Sequence, residues 1–340
     1  MRITDIEISH ERVALAHPFV TALRRVENVE FVRVFVRCSH GFVGIGEAPA
    51  TVAITGEDID SITNAIAELK EHLIGLDKES ALQKVHQSTI GSSAKAALDM
   101  ALIHLETQQK GITFAEYFGI KDYTPLQTDI TISLGDERGM LEAAKDACLA
   151  SMDILKVKLG SDISHAIRVT QSISQELPNA TLLIDANQAW SKESTLRYIE
   201  GICGCAIELI EQPLRADDVA ALKEITNASD IAILADEAVF TLEDAKEIVQ
   251  TQSADMINIK LMKCGGLSRA VEILEYAREQ GVVCMLGSML EGPYSINVAL
   301  YLAFAYRDVI KYVDLDSPLL YKEPTGLLDF VYDGATISLR

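Results

Sequence analysis

Five ionisable residues recur along the second half of the chain at almost one interval: Lys158, Asp185, Glu211, Asp236 and Lys260 are separated by 27, 26, 25 and 24 residues. Each ends a short β-rich run: LKVKLG, LLIDANQ, ELIEQP, ILADEA and INIKLMK. A single such acid is usually a solvated side chain or one half of an ion pair. Three in one phase on successive strands would repel strongly unless a divalent cation neutralised them. An all-carboxylate, all-oxygen donor set suits Mg²⁺, with Mn²⁺ as the alternative, better than zinc. Asp185, Glu211 and Asp236 are therefore the expected metal ligands. Lys156 shares a strand face with Lys158, and Lys260 approaches from the far side. A neighbouring cation and desolvation lower a lysine's pKa, as a general base near neutrality requires. This arrangement suits removal of a proton α to a carboxylate. The metal and Lys156 would hold the developing charge of an enediolate, one lysine would take the proton, and the other would return one to the opposite face. Lys263 is out of phase and is read as merely neutralising a carboxylate.

A barrel supplies the positioning. From residue 125 onward, eight β-rich runs alternate with amphipathic stretches, the pattern of a parallel (β/α) barrel whose active site lies at the strand C-termini. Glu291 follows the seventh run, and Asp314 with Asp316, two residues apart, ends the eighth. No G-x-G-x-x-G fingerprint supports a doubly wound sheet. Before the barrel, alternating runs (ITDIEISHERVAL and VEFVRVFVRCSHGFVGIGEA) precede helical patterns between Asp58 and Gly111. The fold class is thus α/β, a modified (β/α)7β barrel with an α+β capping domain. The cap is expected over 1–122 and the barrel over 123–318. The tail 319–340 is expected to return, with its last strand GATISLR pairing onto the N-terminal sheet.

A formal charge of −20, from 30 basic and 50 acidic residues, disfavours nucleic acid or an anionic membrane as partner. No apolar run reaches membrane-spanning length. Six scattered cysteines and the absence of a signal-like start lead us to expect a reduced, cytoplasmic protein. All seven histidines, the last at His165, lie in the first half, so a Ser-His or Cys-His pair in the second half is ruled out.

The motifs K-V-K (156–158), I-D-A-N-Q-A-W (184–190), I-E-Q-P (210–213), A-D-E (235–237), I-N-I-K…GG (257–266) and G-x-G-E-A-P (44–49) resemble the muconate-lactonizing subgroup of the enolase superfamily, over the whole chain. The resemblance implies Mg²⁺ on Asp185, Glu211 and Asp236, and acid/base catalysis by Lys158 and Lys260. It further implies support of the substrate carboxylate by Lys156 and Asn187, with Glu237 behind the metal ligands. Within the subgroup the chain looks most like the dipeptide epimerases of the L-Ala-D/L-Glu type, which would act in murein peptide recycling. In those, a D-x-D on the eighth strand holds the dipeptide ammonium, here Asp314 and Asp316, and T-A-L-R in a cap loop grips an acidic side chain, here Thr21 to Arg24 followed by Arg25. Thr131 and Glu291 are the remaining residues expected at the substrate. The expected partner is a small dipeptide, and a homo-oligomer is left open.

Other activities of the superfamily (o-succinylbenzoate synthase, N-acylamino acid racemase, muconate cycloisomerase) would share the metal and lysines but leave D-x-D without an ammonium to bind. A non-catalytic metal-binding barrel has no need of two opposed bases, and a metal-dependent aldolase or hydrolase barrel is disfavoured by the lack of metal-binding histidines.

Overall fold

A computed structural model describes residues 2–340. The N-terminal region is a three-stranded antiparallel sheet, Ile3–Val20, Arg25–Cys38 and Val43–Pro49. Its middle strand alternates buried and exposed residues, which sets one face against helices Ile59–Leu73, Lys78–Gln87 and Ser92–Lys110. The last helix lies so close to the third strand that a Cβ on Gly44 or Gly46 would sit 1.9 or 2.0 Å from the carbonyls of Ala101 and Ala97. Glycine is therefore obligatory in G-x-G-E-A-P for packing rather than for phosphate.

Eight parallel strands follow in sequence order: Ile130–Ile132, Ile154–Lys158, Thr181–Asp185, Ile207–Glu211, Ala232–Ala235, Met256–Lys260, Val283–Gly287 and Ile310–Asp314. Asp129 N donates to Val313 O at 3.0 Å and brings the first strand against the eighth. The helices after the first five strands all start on a polar side chain (Asp136, Asp162, Ser191, Asp218, Thr241) that accepts a backbone N–H of the first turn. Inside the barrel, Leu183, Leu209, Leu234, Met256 and Met285 form an apolar layer. Two residues further along, the period of the strand puts Asp185, Glu211, Asp236 and Asn258 directly above Leu183, Leu209, Leu234 and Met256.

The tail departs from expectation. Its hairpin, Phe330–Asp333 with Thr336–Leu339, pairs with Leu126–Gln127 at the N-terminal end of the barrel, not with the cap sheet. The chain immediately before the first barrel strand is an unpaired edge there, and Thr336 and Ile337 satisfy it. The tail's backbone bonds to the cap sheet lie at its start, where Lys322 N donates to Ala14 O and Leu320 O accepts Ala16 N.

Cap and barrel are clamped together by Glu47. This fully buried carboxylate on the third cap strand accepts Arg33 at 2.8 Å and the amides of Tyr294 and Ser295 at 2.9 and 3.1 Å. It thereby caps the helix Pro293–Ala305, which has no side-chain cap of its own. A second tie is Asp99, on the last cap helix, which accepts Ser268 N at 3.1 Å and bonds His86 at 2.8 Å.

Candidate active site

At the C-terminal ends of the strands, lysines and carboxylates interleave. Lys158 rests on Asp185 at 2.5 Å and Lys260 on Asp236 at 2.7 Å. Lys156, fully buried beneath them, meets Asp314 at 2.5 Å, Glu211 at 2.7 Å and Asp185 at 3.6 Å. Lys263 pairs with Asp236 at 2.6 Å and bonds two backbone carbonyls, which matches its neutralising role. Burial alone would lower Lys260, but the attraction of Asp236 and Glu211 outweighs it and holds the ammonium above the usual lysine value. Burial is likewise outweighed at Lys156, by Asp314 and Glu211. The expectation of lowered lysines thus fails for Lys260, because the carboxylates face it more closely than the other ammoniums do. Of the four, Lys263 is lowered, by burial.

The carboxylates divide. Burial would raise Asp236, yet Lys260 and Lys263 hold it below the usual range. Burial and Asp185 push Glu211 up to about 7, and burial and Asp236 push Glu237 up to about 8. Two oxygens here find no partner of any kind, Asn187 Oδ1 and Glu237 Oε2, while Glu211 Oε2 and Asp236 Oδ1 face the ammoniums of Lys156 and Lys263. Buried anionic oxygens gathered on one rim are the donor set a hard divalent cation takes, so Asp185, Glu211 and Asp236 fit Mg²⁺. Their mutual approach is looser than expected, however. Among the described residues, the acids whose oxygens come within 4.8 Å of one another are Asp129, Asp314 and Asp316.

Asn187 is held by strain and hydrogen bonds together. Its φ is 42°, its amide N–H donates to Asp185 Oδ1 at 2.8 Å, and its side chain reaches Glu237 at 3.3 Å. Gln212, also at positive φ (35°), accepts Asp236 N at 2.9 Å and Ala238 N at 3.1 Å, so it ties the fourth strand end to the fifth. Asn258 donates to Glu211 at 2.8 Å. Neither Gln212 nor Asn258 stood out in the sequence, although Asn258 lies in phase with Lys260, two residues earlier.

Lys158 and Lys260 open into one cleft with Thr131, Asn187, Asp236, Asp314 and Asp316. Asp316 accepts Thr131 N at 2.7 Å, and burial with Asp314 beside it raises Asp316 to about 6. Ser288, Met289 and Leu290 form a further wall that sequence reasoning did not single out. Glu291 is not brought to the cleft. Its carboxylate turns back to Met289 N at 2.9 Å and to the Ser295 hydroxyl, and so shapes the loop that carries that wall.

The cap closes the cleft from above. Thr21 to Arg24 is the tight turn of the first hairpin, with Thr21 N bonded to Arg24 O at 2.9 Å and the Thr21 hydroxyl accepting Leu23 N at 3.1 Å. This turns Arg24 into the cleft beside Phe19 and Ile54, while Arg25 points away and pairs with Glu27 at 3.5 Å. Arg24 has no acidic partner among the described residues, and burial pulls its guanidinium down to about 10. An unpaired cation so placed can take an anion.

Residues 3–119 match the N-terminal domain of mandelate racemase / muconate lactonizing enzyme, and residues 139–337 match the enolase C-terminal domain-like family. The chain is 57% identical to the L-amino acid-D/L-Glu epimerase of Sulfurimonas denitrificans over 99% of both chains. A substrate-liganded structure of the L-Ala-D/L-Glu epimerase from Bacillus subtilis superposes with a TM-score of 0.94 at 40% identity, covering 100% of this chain and 97% of that one. The dipeptide epimerase of Enterococcus faecalis, complexed with Mg and the dipeptide L-Leu-L-Tyr, superposes with a TM-score of 0.91 at 29% identity, covering 100% and 98%.

Proposed function

The chain belongs to the mandelate racemase / muconate lactonizing enzyme family of the enolase superfamily and is an isomerase, and from that premise we propose that it epimerises L-Ala-D/L-Glu or a closely related dipeptide. One observation carries the reading: Lys158, Lys260, the Asp314–Asp316 pair and the unpaired Arg24 all line the same cleft. A dipeptide ending in Glu presents a cation at one end and an acidic side chain at the other, with an acidic Cα–H between them. The names of the similar proteins support the same substrate class, with breadth at the first residue.

Asp185, Glu211 and Asp236 would hold Mg²⁺, which when bound stabilises negative charge developing on the substrate carboxylate. Lys156, beneath the carboxylates, contributes a fixed positive charge to the same end. Asp316 and Asp314 hold the dipeptide ammonium, and Arg24 the Glu side chain. With both ends fixed, the Glu Cα lies between two ammonium-bearing side chains. One of Lys158 and Lys260 takes the α-proton in its neutral form, and the other, protonated, delivers one to the opposite face. The carbon is inverted and no atom is lost. Murein peptides are the source of such dipeptides that we favour.

The test is incubation with Mg²⁺ and L-Ala-L-Glu in D₂O, followed by NMR at the Glu α-position. Deuterium should enter with appearance of L-Ala-D-Glu. No incorporation from this or any of a broad set of dipeptides would sink the proposal.

A further inference from the structure

Asp129 is a buried acid of the barrel interior to which the proposed mechanism gives no role. It immediately precedes the first barrel strand, Ile130–Ile132, is 1% exposed, and neither carboxylate oxygen has a hydrogen-bond partner. Its oxygens lie within 4.8 Å of those of Asp314 and Asp316. The groups around it are Thr131 on the strand it leads into, Lys156 on the second strand, Asp314 ending the eighth and Asp316 beyond it, and in the cavity below Leu183, Tyr312 and the Glu208–Lys311 pair, closed on itself at 2.8 Å.

We propose that Asp129 carries a proton and, as a neutral carboxyl beneath the Asp314–Asp316 pair, donates a hydrogen bond to Asp314 that positions the pair for the substrate ammonium. This rests on the reading of that pair as the ammonium site.

Charge counting leads there. Three ionised carboxylates so close together need compensation, and Lys156 is the ammonium in reach. It is already shared among Asp314, Glu211 and Asp185 at 2.5, 2.7 and 3.6 Å, and it forms no ion pair with Asp129. An uncompensated buried charge is costly enough that a carboxyl takes up a proton instead. A metal ion among the three would occupy the oxygens of Asp314 and Asp316 that the ammonium needs. A proton leaves both free, satisfies an orphaned oxygen, and replaces one anion–anion contact with an O–H···O⁻ bond. Burial and the charge of Asp314 both push Asp129 well above the usual carboxylate range, in agreement with the geometry. Asp129 is a positioning residue: Asp314 and Asp316 touch the substrate, and it acts through them.

The experiment pairs infrared spectroscopy with kinetics on D129N and D129L. The wild-type protein, with and without Mg²⁺, should show a protonated-carboxyl C=O stretch that is lost in D129N and therefore stands out in the wild-type-minus-D129N difference spectrum. An asparagine amide can donate the same hydrogen bond, so D129N should recover most of what D129L loses. D129L should raise KM for L-Ala-L-Glu about tenfold or more, with kcat changed less. An identical infrared spectrum in wild type and D129N would overturn the proposal, as would a D129N variant as impaired as D129L. If the wild type turned over no dipeptide, the substrate reading alone would fall, since the infrared result decides the proton independently.

Discussion

Lys158 and Lys260 reach the cleft from opposite walls of the barrel, and each ammonium rests on the aspartate that ends a neighbouring strand, Asp185 at 2.5 Å and Asp236 at 2.7 Å. The two sides are near copies in chemistry, as a reaction that runs in both directions across one carbon requires. Replacing either lysine with alanine should lower kcat for epimerisation by about 10²–10⁴-fold. Each variant should still exchange the α-proton of the epimer facing its surviving lysine. Following both epimers separately by NMR in D₂O checks this, and epimerisation at the wild-type rate in either variant would remove that lysine from the mechanism.

Arg24, unpaired and turned inward, should confer the preference for an acidic second residue. Arg24→Met should raise KM for L-Ala-L-Glu by roughly 10–100-fold, the worth of a charge-assisted hydrogen bond, and leave L-Ala-L-Met little changed. Arg25→Ala, which removes an exposed pair with Glu27, should alter neither. Steady-state kinetics on the two substrates decide between the arginines.

Asp316 should discriminate free from blocked amino termini. The wild type should prefer L-Ala-L-Glu over its N-acetyl derivative. In Asp316→Asn the ratio of kcat/KM for the two should fall by about tenfold or more. An unchanged ratio would show that the ammonium binds elsewhere.

Mg²⁺ should stabilise the fold through the three carboxylates. At a hundredfold excess over Kd the gain is about 2.7 kcal/mol, visible as a rise in Tm on adding Mg²⁺ and its loss on chelation. Asp236→Asn should abolish the rise. A rise that survives in that variant but disappears in Asp316→Asn would move the ion to the Asp129–Asp314–Asp316 cluster.

Glu291 gives a pH signature. Burial raises its carboxyl from the ordinary 4.5 to about 7. The folded state therefore retains a proton that the unfolded chain has released, and this contribution to stability is complete below about pH 4.5 and disappears as pH rises to about 7. Relative to Glu291→Gln, which keeps both hydrogen bonds without titrating, the wild type should lose up to about 3 kcal/mol across that window. Denaturant melts at several pH values measure the difference, and parallel curves would contradict it.

The barrel and its ring of lysines and acids were legible because strand period and βα repeat length both act on consecutive residues. A polar residue recurring every 24 to 27 positions can only mean one rim. The same logic found Asp314 and Asp316. It did not find Asp129, whose TDITIS context looks like an ordinary strand start and whose significance comes from residues nearly 190 positions away. Glu291 was misplaced because sequence gives a side chain's position but not its rotamer, and a helix N-terminus nearby drew it backward. The tail was misassigned because a short strand takes whichever edge is free, and that edge, Leu126–Gln127, is only two residues long. The pKa direction of Lys260 needed distances to carboxylates that spacing does not supply.

The Glu47 clamp bears on how substrate gets in and out. Lifting the cap away would strand a fully buried carboxylate and uncap the helix that follows Leu290, so the cap cannot swing as a body at small cost. What projects beyond the clamp are the tips at Thr21–Arg24 and Val52–Gly56, whose Leu23 and Val52 are 41% and 60% exposed. Any opening of the cleft would then fall to the residues at these two loop tips rather than to the cap as a body. If Arg24 binds the substrate anion as proposed, the tip that would open and the group that would hold the anion are the same piece of chain. Capture of a Glu side chain would then also be the event that shuts the door, and the release rate of product would be set by how tightly that one guanidinium holds on.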